Sequence, residues 1–558
     1  MQAEEHFVQL PQFSIGQASW SRRRLPAARL FVESLETRNL LSVNVLSLFR
    51  GQTGSAADEP PDTIAAAGPD VIVELVNGQQ TNHTSVAYYD KNTGAKLFQQ
   101  DLSIFFRPLG GVLSQGDVVV IYDELAGRFA LGTLDFSLAG AGKSRFDFAV
   151  SIDSNPLDGF TLARYDMNDG VGGFDFADYP RIGYNADAYV VSFNMFPAGL
   201  PRDHVDTLAI DKNTLAGHRV MVPGGSANFT MAPASMHDSQ PGDPMWFVES
   251  SSELGGNTIG IVEMTNVLSD TPSYAITQVA VPDYFGIPYV FGLQPFSANT
   301  INTDDARIFN SAMRFGQIVA AQSIVDSSNG ATHVRWYQFD TTGNAPILVQ
   351  TGNIDQGLGV NTYYPSIDIN ILGDLGMTFM ESSTSEYMSM YVTGRKSNDP
   401  LNAMQPPVLA FAGQDVYQGG RAGDFSGTTV DPVDGVTFWS ANEYKPHDAY
   451  WGTGIASFSI DSSVAPPGAA APSASNLFFL SKEDLAELTP AVRSFTQAAF
   501  PTTTPSFTAP VLDPFFDRSN GQLREGTPVA WRALSRFAND NATASDFWES
   551  IRSTPGAR

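Results

Sequence analysis

The sequence predicts an all-β fold for most of its 558 residues. Its 49 Gly and 35 Pro, together with 38 Phe, favour many short strands and tight turns over helical bundles. Two strand patterns recur along the chain, and the turns between their strands have the composition of β-hairpins. Cysteine is absent, so disulfides, thiolate metal sites and cysteine nucleophiles are excluded.

The first recurring pattern is an alternating apolar strand that ends in an acidic residue and a turn. The clearest copies are Ser85 to Asp90, Asp206 to Asp211, Val334 to Asp340 and Ile455 to Asp461, with weaker copies at 148–153, 259–263 and 390–394. From position 90 to position 461 the mean step is about 62 residues, the length expected of a four-stranded propeller blade with its loops.

The second recurring pattern is a pair of short strands joined by a turn rich in Asp, Asn, Pro or Gly. The copies lie at 64–76, 118–131, 180–194, 366–380 and 428–439. Such turns between β-branched and aromatic runs predict hairpins.

Hairpin units of this kind cannot each bury a face alone, but seven of them can when they are arranged radially. We therefore predict a single seven-bladed β-propeller over residues 55–461. A pair of two-sheet sandwich domains is the alternative, and the even spacing of the units without linkers favours the ring over it.

The N-terminal 50 residues have a different character from the body. Three arginines, Arg22 to Arg24, precede an apolar segment that charged residues interrupt, so a Sec signal peptide fits poorly. Leu35, Glu36, Arg38, Leu40, Leu41 and Ser42 resemble the "LEPRxLLS"-type N-terminal region of large exported proteins of Planctomycetes. The resemblance implies that residues 1–50 are an export segment; a basic amphipathic helix is the alternative.

The C-terminal part also departs from the repeat. Residues 462–476 are rich in Pro, Ala and Ser and predict a semi-rigid linker. Residues 477–558 predict a tail of short helices, the first beginning after Ser481 and ending before Pro501. Whether that tail docks or stays disordered is open at this point.

Charge restricts the partners. The chain has 32 basic and 59 acidic residues, and 46 of the acidic ones lie within 51–461. A net charge of −27 disfavours nucleic acid and anionic membrane surfaces. No apolar run is long enough to span a bilayer. We expect a secreted or cell-surface protein, monomeric, with no membrane span.

Acidic residues recur just before the first strand of successive units. In a propeller, these positions and the ends of the second strands converge around the central channel. The predicted calcium ligands are Asp62, Asp117, Asp178 and Asp424, and Asp243 and Asp304 or Asp305 occupy related positions in the pattern. The alternative is that each Asp caps a turn or hydrogen-bonds the backbone of an adjacent unit.

The predicted ligand-binding face combines these acids with neighbouring polar residues. Its members are Asp117, Asp178, Arg181, Asn194, Glu381, Arg421, Asp424, Asn442 and Glu443. An oxygen-rich ring of this kind suits Ca²⁺ or sugar hydroxyls. No organic cofactor is expected.

Residues 60–461 resemble a family of bacterial exported β-propeller proteins of unassigned activity. The matching blocks are 61–63, 116–123, 178–183, 421–427 and 442–444 with 451–453. The resemblance implies a propeller fold and an exported location, and it implies no reaction.

Two functions compete. A non-catalytic module that binds an extracellular glycan or a cell-envelope protein is preferred, because no complete nucleophile or acid/base set is visible. The alternative is a carbohydrate-active hydrolase or lyase of sialidase type. Its candidates are Arg181, Arg314 and Arg421 for a substrate carboxylate, Tyr179 or Tyr444 as nucleophile and Asp117 as helper.

Overall fold

The protein is described from a computed structural model that covers residues 43–460 except for short gaps. The gaps are residues 57, 79–83, 111–114, 138–143, 169–174, 198–201, 253, 287–290, 304–305 and 327–329. Two further strands, β31 (Phe516–Asp517) and β32 (Gln522–Leu523), pair with each other. The predicted linker, the first helix of the predicted tail and the export motif up to Ser42 lie outside the described residues.

The described part is nearly all β, which confirms the predicted fold class at that level. Its strands form antiparallel units of four, in chain order. Unit 1 comprises β2 (Ile64–Ala67), β3 (Val71–Val76), β4 (Ser85–Asp90) and β5 (Lys96–Asp101). Unit 2 comprises β6 (Gln115–Asp123), β7 (Arg128–Asp135), β8 (Arg145–Ser151) and β9 (Phe160–Asp166).

The next three units are joined in one twelve-stranded sheet. Unit 3 comprises β10 (Asp175–Tyr184), β11 (Ala188–Pro197), β12 (His204–Asp211) and β13 (Gly217–Met221). Unit 4 comprises β14 (Ala232–Met236), β15 (Met245–Ser250), β16 (Gly255–Thr265) and β17 (Ser273–Phe285). A two-stranded excursion follows, β18 (Phe291–Gly292) and β19 (Ile301–Asn302). Unit 5 comprises β20 (Ile308–Arg314), β21 (Gln317–Val325), β22 (Thr332–Asp340) and β23 (Ile347–Ile354).

Two more sheets complete the described units. Unit 6 comprises β24 (Val360–Ile369), β25 (Leu375–Ser383), β26 (Glu386–Arg395) and β27 (Val408–Phe411). Unit 7 comprises β28 (Gly427–Val430), β29 (Phe438–Tyr444), β30 (Trp451–Ser459) and β1 (Asn44–Gly54). One short α-helix, α1 (Leu102–Phe105), and 3-10 turns at Arg107–Leu109, Pro156–Asp158 and Gly225–Ala227 lie between strands.

The outer strand of unit 7 comes from the beginning of the described chain. β1 pairs antiparallel with β30, from Asn44 opposite Ser459 to Gly54 opposite Trp451. The predicted propeller began at residue 55, so the sheet extends into the segment assigned to export. The pairing supplies the partner that the edge of β30 would otherwise lack.

The first strands of the units contact one another in a closed order. β2 contacts both β6 and β28. From β6 the order of contacts continues through β10, β14, β20 and β24 and returns to β28. The inner contacts from β10 to β14 and from β14 to β20 are parallel strand pairs, which is why three units merge into one sheet.

The core lies between the faces of neighbouring units. Val73 of unit 1, for example, shares a buried cluster with Val120 and Phe129 of unit 2. Each fully buried side chain of this size contributes about 1.5–3 kcal/mol relative to leaving it in water. No unit buries both of its faces alone, so the cores form only when neighbours pack together.

The local patterns predicted from the sequence are present. Each predicted two-strand pattern is a hairpin between the first and second strands of a unit. The strands that end in an acid are third strands, and β4 has the predicted bounds. Asp90 caps its turn by accepting from the Thr93 N–H at 2.8 Å, and Asp211 does the same for Thr214 at 2.7 Å.

Candidate functional site

The first strands begin with a distorted backbone at one end of the ring. Five residues other than glycine have φ between 45° and 55° in this region. Asp62 and Thr230 lie two residues before β2 and β14, and Asp117, Tyr179 and Tyr364 lie in the first halves of β6, β10 and β24. The strand register shifts at the same place in units 2, 3 and 6. A left-handed residue other than glycine costs about 1–2 kcal/mol, so surrounding contacts must hold these residues in place.

Several of the predicted carboxylates provide such contacts by binding the next unit. Asp62 accepts from the Asp424 backbone N–H at 2.7 Å and from the Asn77 amide at 2.9 Å. Asp117 accepts from the Tyr179 backbone N–H at 3.0 Å. Asp62 and Asp117 therefore hydrogen-bond the backbone of adjacent units, which is the alternative that the sequence analysis left open for these acids.

The ends of the second strands take part in the same bonding. Asn194 accepts from the Thr230 N–H at 3.2 Å and donates to the Thr230 hydroxyl at 2.9 Å. The Asn442 amide donates to the Tyr364 carbonyl at 3.1 Å, and Glu443 accepts from the Thr63 N–H at 3.4 Å. As predicted, second-strand ends and first-strand starts meet at one end of the ring.

Arginines lie among these acids. The Arg181 guanidinium stacks between the Tyr179 and Phe425 rings, 4.1 Å from each centroid, and donates to the Asp424 carbonyl at 2.8 Å. Arg421 forms an ion pair with the Asp424 carboxylate. Arg181 is buried, whereas Arg421 remains half-buried. We call Asp62, Asp117, Asp178, Arg181, Arg421, Asp424 and Glu443 the start cluster.

Within the start cluster, the carboxyls of Asp62, Asp117, Asp178 and Glu443 hold protons more tightly than free carboxylates do. Burial, and then the neighbouring Asp178 carboxylate, raises the pKa of Asp117 to about 8. Burial raises the pKa of Asp178 as well, and Asp117 and Asp178 influence each other, so the pair holds a proton. Burial also raises the pKa of Asp62 and of Glu443 well above the usual range; the Asp424 charge adds to the shift of Asp62, and the Asp62 charge adds to that of Glu443.

Two predicted or related acids stand apart from the start cluster. Burial raises the pKa of Glu381 to about 8, and the Glu386 carboxylate adds to the shift, so Glu381 pairs within unit 6. Burial raises the pKa of Glu249 to about 7. One carboxylate oxygen each of Glu249, Glu381 and Glu443 is buried and makes no hydrogen bond to another described residue.

Calcium binding remains a prediction. Within the described residues, no group of three or more His, Asp or Glu side chains is arranged so that it could hold a metal ion. The predicted ligands Asp62, Asp117 and Asp424 are engaged in the contacts given above, and Asp178 shares a proton with Asp117. Asp304 and Asp305 lie outside the described residues.

Three other residues do not lie where the sequence analysis placed them. Asp243 lies in the turn between β14 and β15, where it accepts from the Gln240 N–H at 2.7 Å, and Thr230 occupies the strand-start position of that unit. Arg314 is at the far end of β20, so it does not join Arg181 and Arg421. Tyr444 packs on the Phe411 ring at 5.0 Å. The arginine triad of the hydrolase hypothesis is therefore not assembled.

Sequence reasoning missed a second cluster, at the opposite ends of the first strands. We call Glu124, His237, Arg314 and Asp368 the end cluster. His237 Nε2 lies 2.8 Å from Asp368 Oδ1, and its Nδ1 lies 3.1 Å from Glu124 Oε1. Arg314 donates to the same Glu124 oxygen at 3.0 Å. The four residues come from units 2, 4, 5 and 6 and so cross the ring axis.

Both nitrogens of His237 face carboxylate oxygens, so both must carry hydrogen and the ring is an imidazolium. Burial alone would lower the pKa of His237, but the Asp368 and Glu124 carboxylates outweigh it and raise the pKa to about 9. Burial would raise the pKa of Glu124, and the His237 and Arg314 charges lower it instead. The sequence offered one signal, the His237-Asp238 pair at the end of a strand.

The space along the axis between the two clusters is narrow. A cavity of about 50 Å³ is enclosed by first strands of units 1 to 7, among them residues of β2, β6, β10, β14, β20, β24 and β28. This volume is enough for a few water molecules and too small for a sugar ring.

Comparison with known proteins gives no family: no family model and no curated protein matches the chain. The solved structures that align with it include β-propeller proteins. A subtype N10 neuraminidase-like protein of A/little yellow-shouldered bat/Guatemala/060/2010 aligns at 7% identity and TM-score 0.36, over 64% of this chain and 100% of that one. The Hadza microbial sialidase Hz136 aligns at 12% identity and TM-score 0.34, over 72% of this chain and 66% of that one. An α-L-arabinofuranosidase from Fusarium graminearum aligns at 8% identity and TM-score 0.34, over 74% of this chain and 98% of that one.

Proposed function

We propose that the protein is a seven-bladed β-propeller that binds an extracellular glycan or a cell-envelope protein without turning it over. The blade number is supported by the closed order of contacts from β2 to β28 and by the β1–β30 pairing. Binding at the ring is supported by half-buried polar side chains that several units hold in fixed positions. These are Asp117, Asp178 and Arg421 of the start cluster and Arg307, which directly precedes β20 and whose guanidinium lies 4.1 Å from the centroid of the Tyr179 ring.

The observation that carries the non-catalytic role is how the start cluster is used. Asp62 and Asp117 accept backbone hydrogen bonds from neighbouring units, and Arg181 is fixed between two aromatic rings. A general acid or nucleophile must reach a substrate atom. The axial cavity is too small for a sugar ring, so Asp62 and Arg181 hold neighbouring units together and do not meet a substrate there.

Export is part of the proposal. It rests on Arg22–Arg24 and the motif that ends at Ser42. Within the described residues, no helix has the length and apolar character required to cross a membrane. A reporter enzyme fused after residue 43 should leave the cytoplasm in a planctomycete host. The same fusion with Leu40 and Leu41 replaced by Asp should keep the reporter in the cytoplasm. Equal secretion of the wild-type and the substituted fusion would contradict the export role.

One observation favours a second candidate, glycoside hydrolysis. Asp117 and Asp178 are half-buried, share a proton, and Asp117 has a pKa of about 8, as a general acid needs. A substrate would have to approach these two carboxyls from the solvent at the end of the ring, because the axial cavity is too small to admit it.

The two functions separate in one experiment. The full chain is applied to a glycan array and also incubated with sialosides, uronides and sulfated polysaccharides. We expect retention on glycans or on envelope protein, and no release of sugar. Turnover that Asp117→Asn abolishes would reject the non-catalytic role. The control is Asp153→Asn, at an exposed turn of unit 2.

A further inference from the structure

A second cavity, of about 320 Å³, lies where the closing strand meets unit 1. It is lined by residues of β1, of the segment that follows it, of β3 to β5 and of β30. The lining residues are Gln52, Thr53, Gly54, Asp58, Val76, Ser85, Gln99, Gln100, Asp101 and Trp451. This volume is at the lower end of the range for small-molecule sites. We call it the seam pocket.

The chemistry of the seam pocket is polar and contains no basic side chain. Three glutamine amides and two hydroxyls line it, and such groups both donate and accept. Part of this capacity is already used: Ser85 and Gln99 donate to Gln52, and Gln99 accepts from Lys96 at 2.7 Å. Asp58 is satisfied locally, because its Oδ2 accepts from the Ser55 N–H at 3.0 Å and the Ser55 hydroxyl at 2.8 Å.

The wall of the pocket is held in one arrangement. Gln52 is buried, its backbone N–H donates to Glu74 at 3.1 Å, and its side-chain oxygen accepts from Gln99 at 3.0 Å. Gly54 lies flat on the Trp451 ring: a Cβ there would be 2.1 Å from a ring carbon. The Trp451 indole donates to the Asp58 carbonyl at 2.9 Å. A site built in this way loses little side-chain freedom on binding.

Asp101 gives the pocket an unused acceptor. Its Oδ1 accepts from the Ser103 N–H at 2.7 Å and caps α1. Its Oδ2 is buried and makes no hydrogen bond to another described residue. A buried acceptor without a donor costs about 1–3 kcal/mol. A hydroxyl donor in the pocket would relieve that cost after the Asp101 side chain turns towards it, because Oδ2 has almost no accessible surface.

We propose that the seam pocket binds one residue of a neutral carbohydrate, an inference that rests on the proposed binding function and names its ligand class. Vicinal hydroxyls donate and accept together, as the glutamine amides do, and one of them would donate to Asp101. An anionic sugar would meet no cation in the lining and would approach a chain of net charge −27.

The test compares two pocket variants with a matched control. Gln100→Ala removes one lining amide. Asp101→Asn keeps the α1 cap, since Asn caps as well as Asp, but alters the unused acceptor. Gln278→Ala removes an exposed glutamine from an outer strand of unit 4 and serves as the control. All four proteins are applied to an array with equal numbers of neutral, anionic and amino-sugar oligosaccharides, and their melting curves are recorded.

We expect the wild-type chain and Gln278→Ala to bind neutral oligosaccharides, and each pocket variant to lose at least tenfold in signal with an unchanged melting curve. Undiminished binding by folded pocket variants would overturn the seam pocket and leave the binding function intact. Retention only on anionic or amino-sugar spots would overturn the ligand class. Absence of all glycan binding would overturn the pocket, whereas the protein-binding arm of the proposed function would then be tested on envelope extracts.

Discussion

The start cluster and the end cluster lie at opposite ends of the same first strands, yet they accommodate buried acids differently. Asp117 on β6 belongs to the start cluster, and Glu124, directly after β6, belongs to the end cluster. The two residues lie roughly 20 Å apart along the strand direction. Asp117 shares a proton with Asp178, and its pKa is raised to about 8. Glu124 faces His237 and Arg314, and its pKa is lowered.

The difference follows from where the cations are. In the end cluster two cations face two carboxylates at 2.8–3.1 Å. In the start cluster Arg181 contacts two aromatic rings and a carbonyl, and Arg421 pairs with Asp424. The Arg421 charge lowers the pKa of Asp62 and of Asp117 by less than burial raises it. Buried acids that meet cations stay charged, and those that do not are held neutral by protons.

The largest effect should come from removing a cation from the end cluster. His237→Leu leaves Asp368, which is only 2% exposed, beside Glu124 with one cation fewer. We expect the free energy of unfolding to fall by about 3–5 kcal/mol, the usual cost of an uncompensated buried charge. Urea unfolding at pH 7 measures it.

The matched control is His218→Leu, which breaks a 2.8 Å pair with the exposed Asp270. An exposed pair contributes at most about 1 kcal/mol. Equal losses in the two variants would show that the end cluster is no more than a surface ion pair.

The pH dependence of stability should show the same cluster. The folded-state pKa of His237, about 9, lies above the ordinary histidine value of about 6.5. Its contribution is therefore fully present below about pH 6.5 and is lost as the pH rises through 9, to a total of roughly 3 kcal/mol. Unfolding curves at pH 6, 7.5 and 9 measure this, and His237→Leu should lack that part of the slope. Parallel slopes in the two proteins would contradict the assignment.

A smaller effect, of opposite sign, is expected at the start cluster. Because the pKa of Asp117 is raised, the folded state is disfavoured increasingly as the pH rises from about 4 to about 8. Asp117→Asn keeps an acceptor for the Tyr179 N–H and supplies a donor towards Asp178. We expect a gain at pH 8 and none at pH 4. A rise in pKa from 3.8 to about 8 in an isolated group corresponds to about 5–6 kcal/mol, and the gain should be smaller than that because Asp117 titrates together with Asp178. Asp153→Asn is the control, and a loss at pH 8 would mean that Asp117 is held ionised.

Calcium should give the smallest effect. A cation must displace the proton that Asp117 and Asp178 share, so weak binding is expected to grow with pH. At a concentration near the dissociation constant the stabilisation is about 0.4 kcal/mol, or about 1 °C in Tm. Asp178→Asn with Asp424→Asn should erase it. Identical melting curves at pH 8 in millimolar calcium and in chelator would remove calcium from the proposed function.

The sequence predicted what is local. Hairpin turns and the Asp caps at Asp90 and Asp211 follow from contacts within a few residues, so periodicity and turn chemistry were sufficient. It also predicted that first-strand starts meet second-strand ends, because this follows from the geometry of an antiparallel ring.

The sequence did not predict contacts between distant segments. The end cluster joins Glu124 to His237 across 113 positions, and His237 to Asp368 across 131. Asp243 was misplaced because the turn after Pro241 has the same composition as a strand start, while Thr230 carries no acid to mark the real one. Nor does the sequence of β1 identify a partner some 400 residues away.

That distance has a consequence for biogenesis. β1 is among the first of the described strands to leave the ribosome, but its partner β30 is synthesised last of the strands in units 1 to 7. The edge of β1 must therefore wait unpaired until the whole ring has been made. Pairing between ends so far apart makes folding slow and exposes strand edges meanwhile. A chain in this condition is open to aggregation and to chaperone capture, and only the docking of Asn44–Gly54 ends that interval.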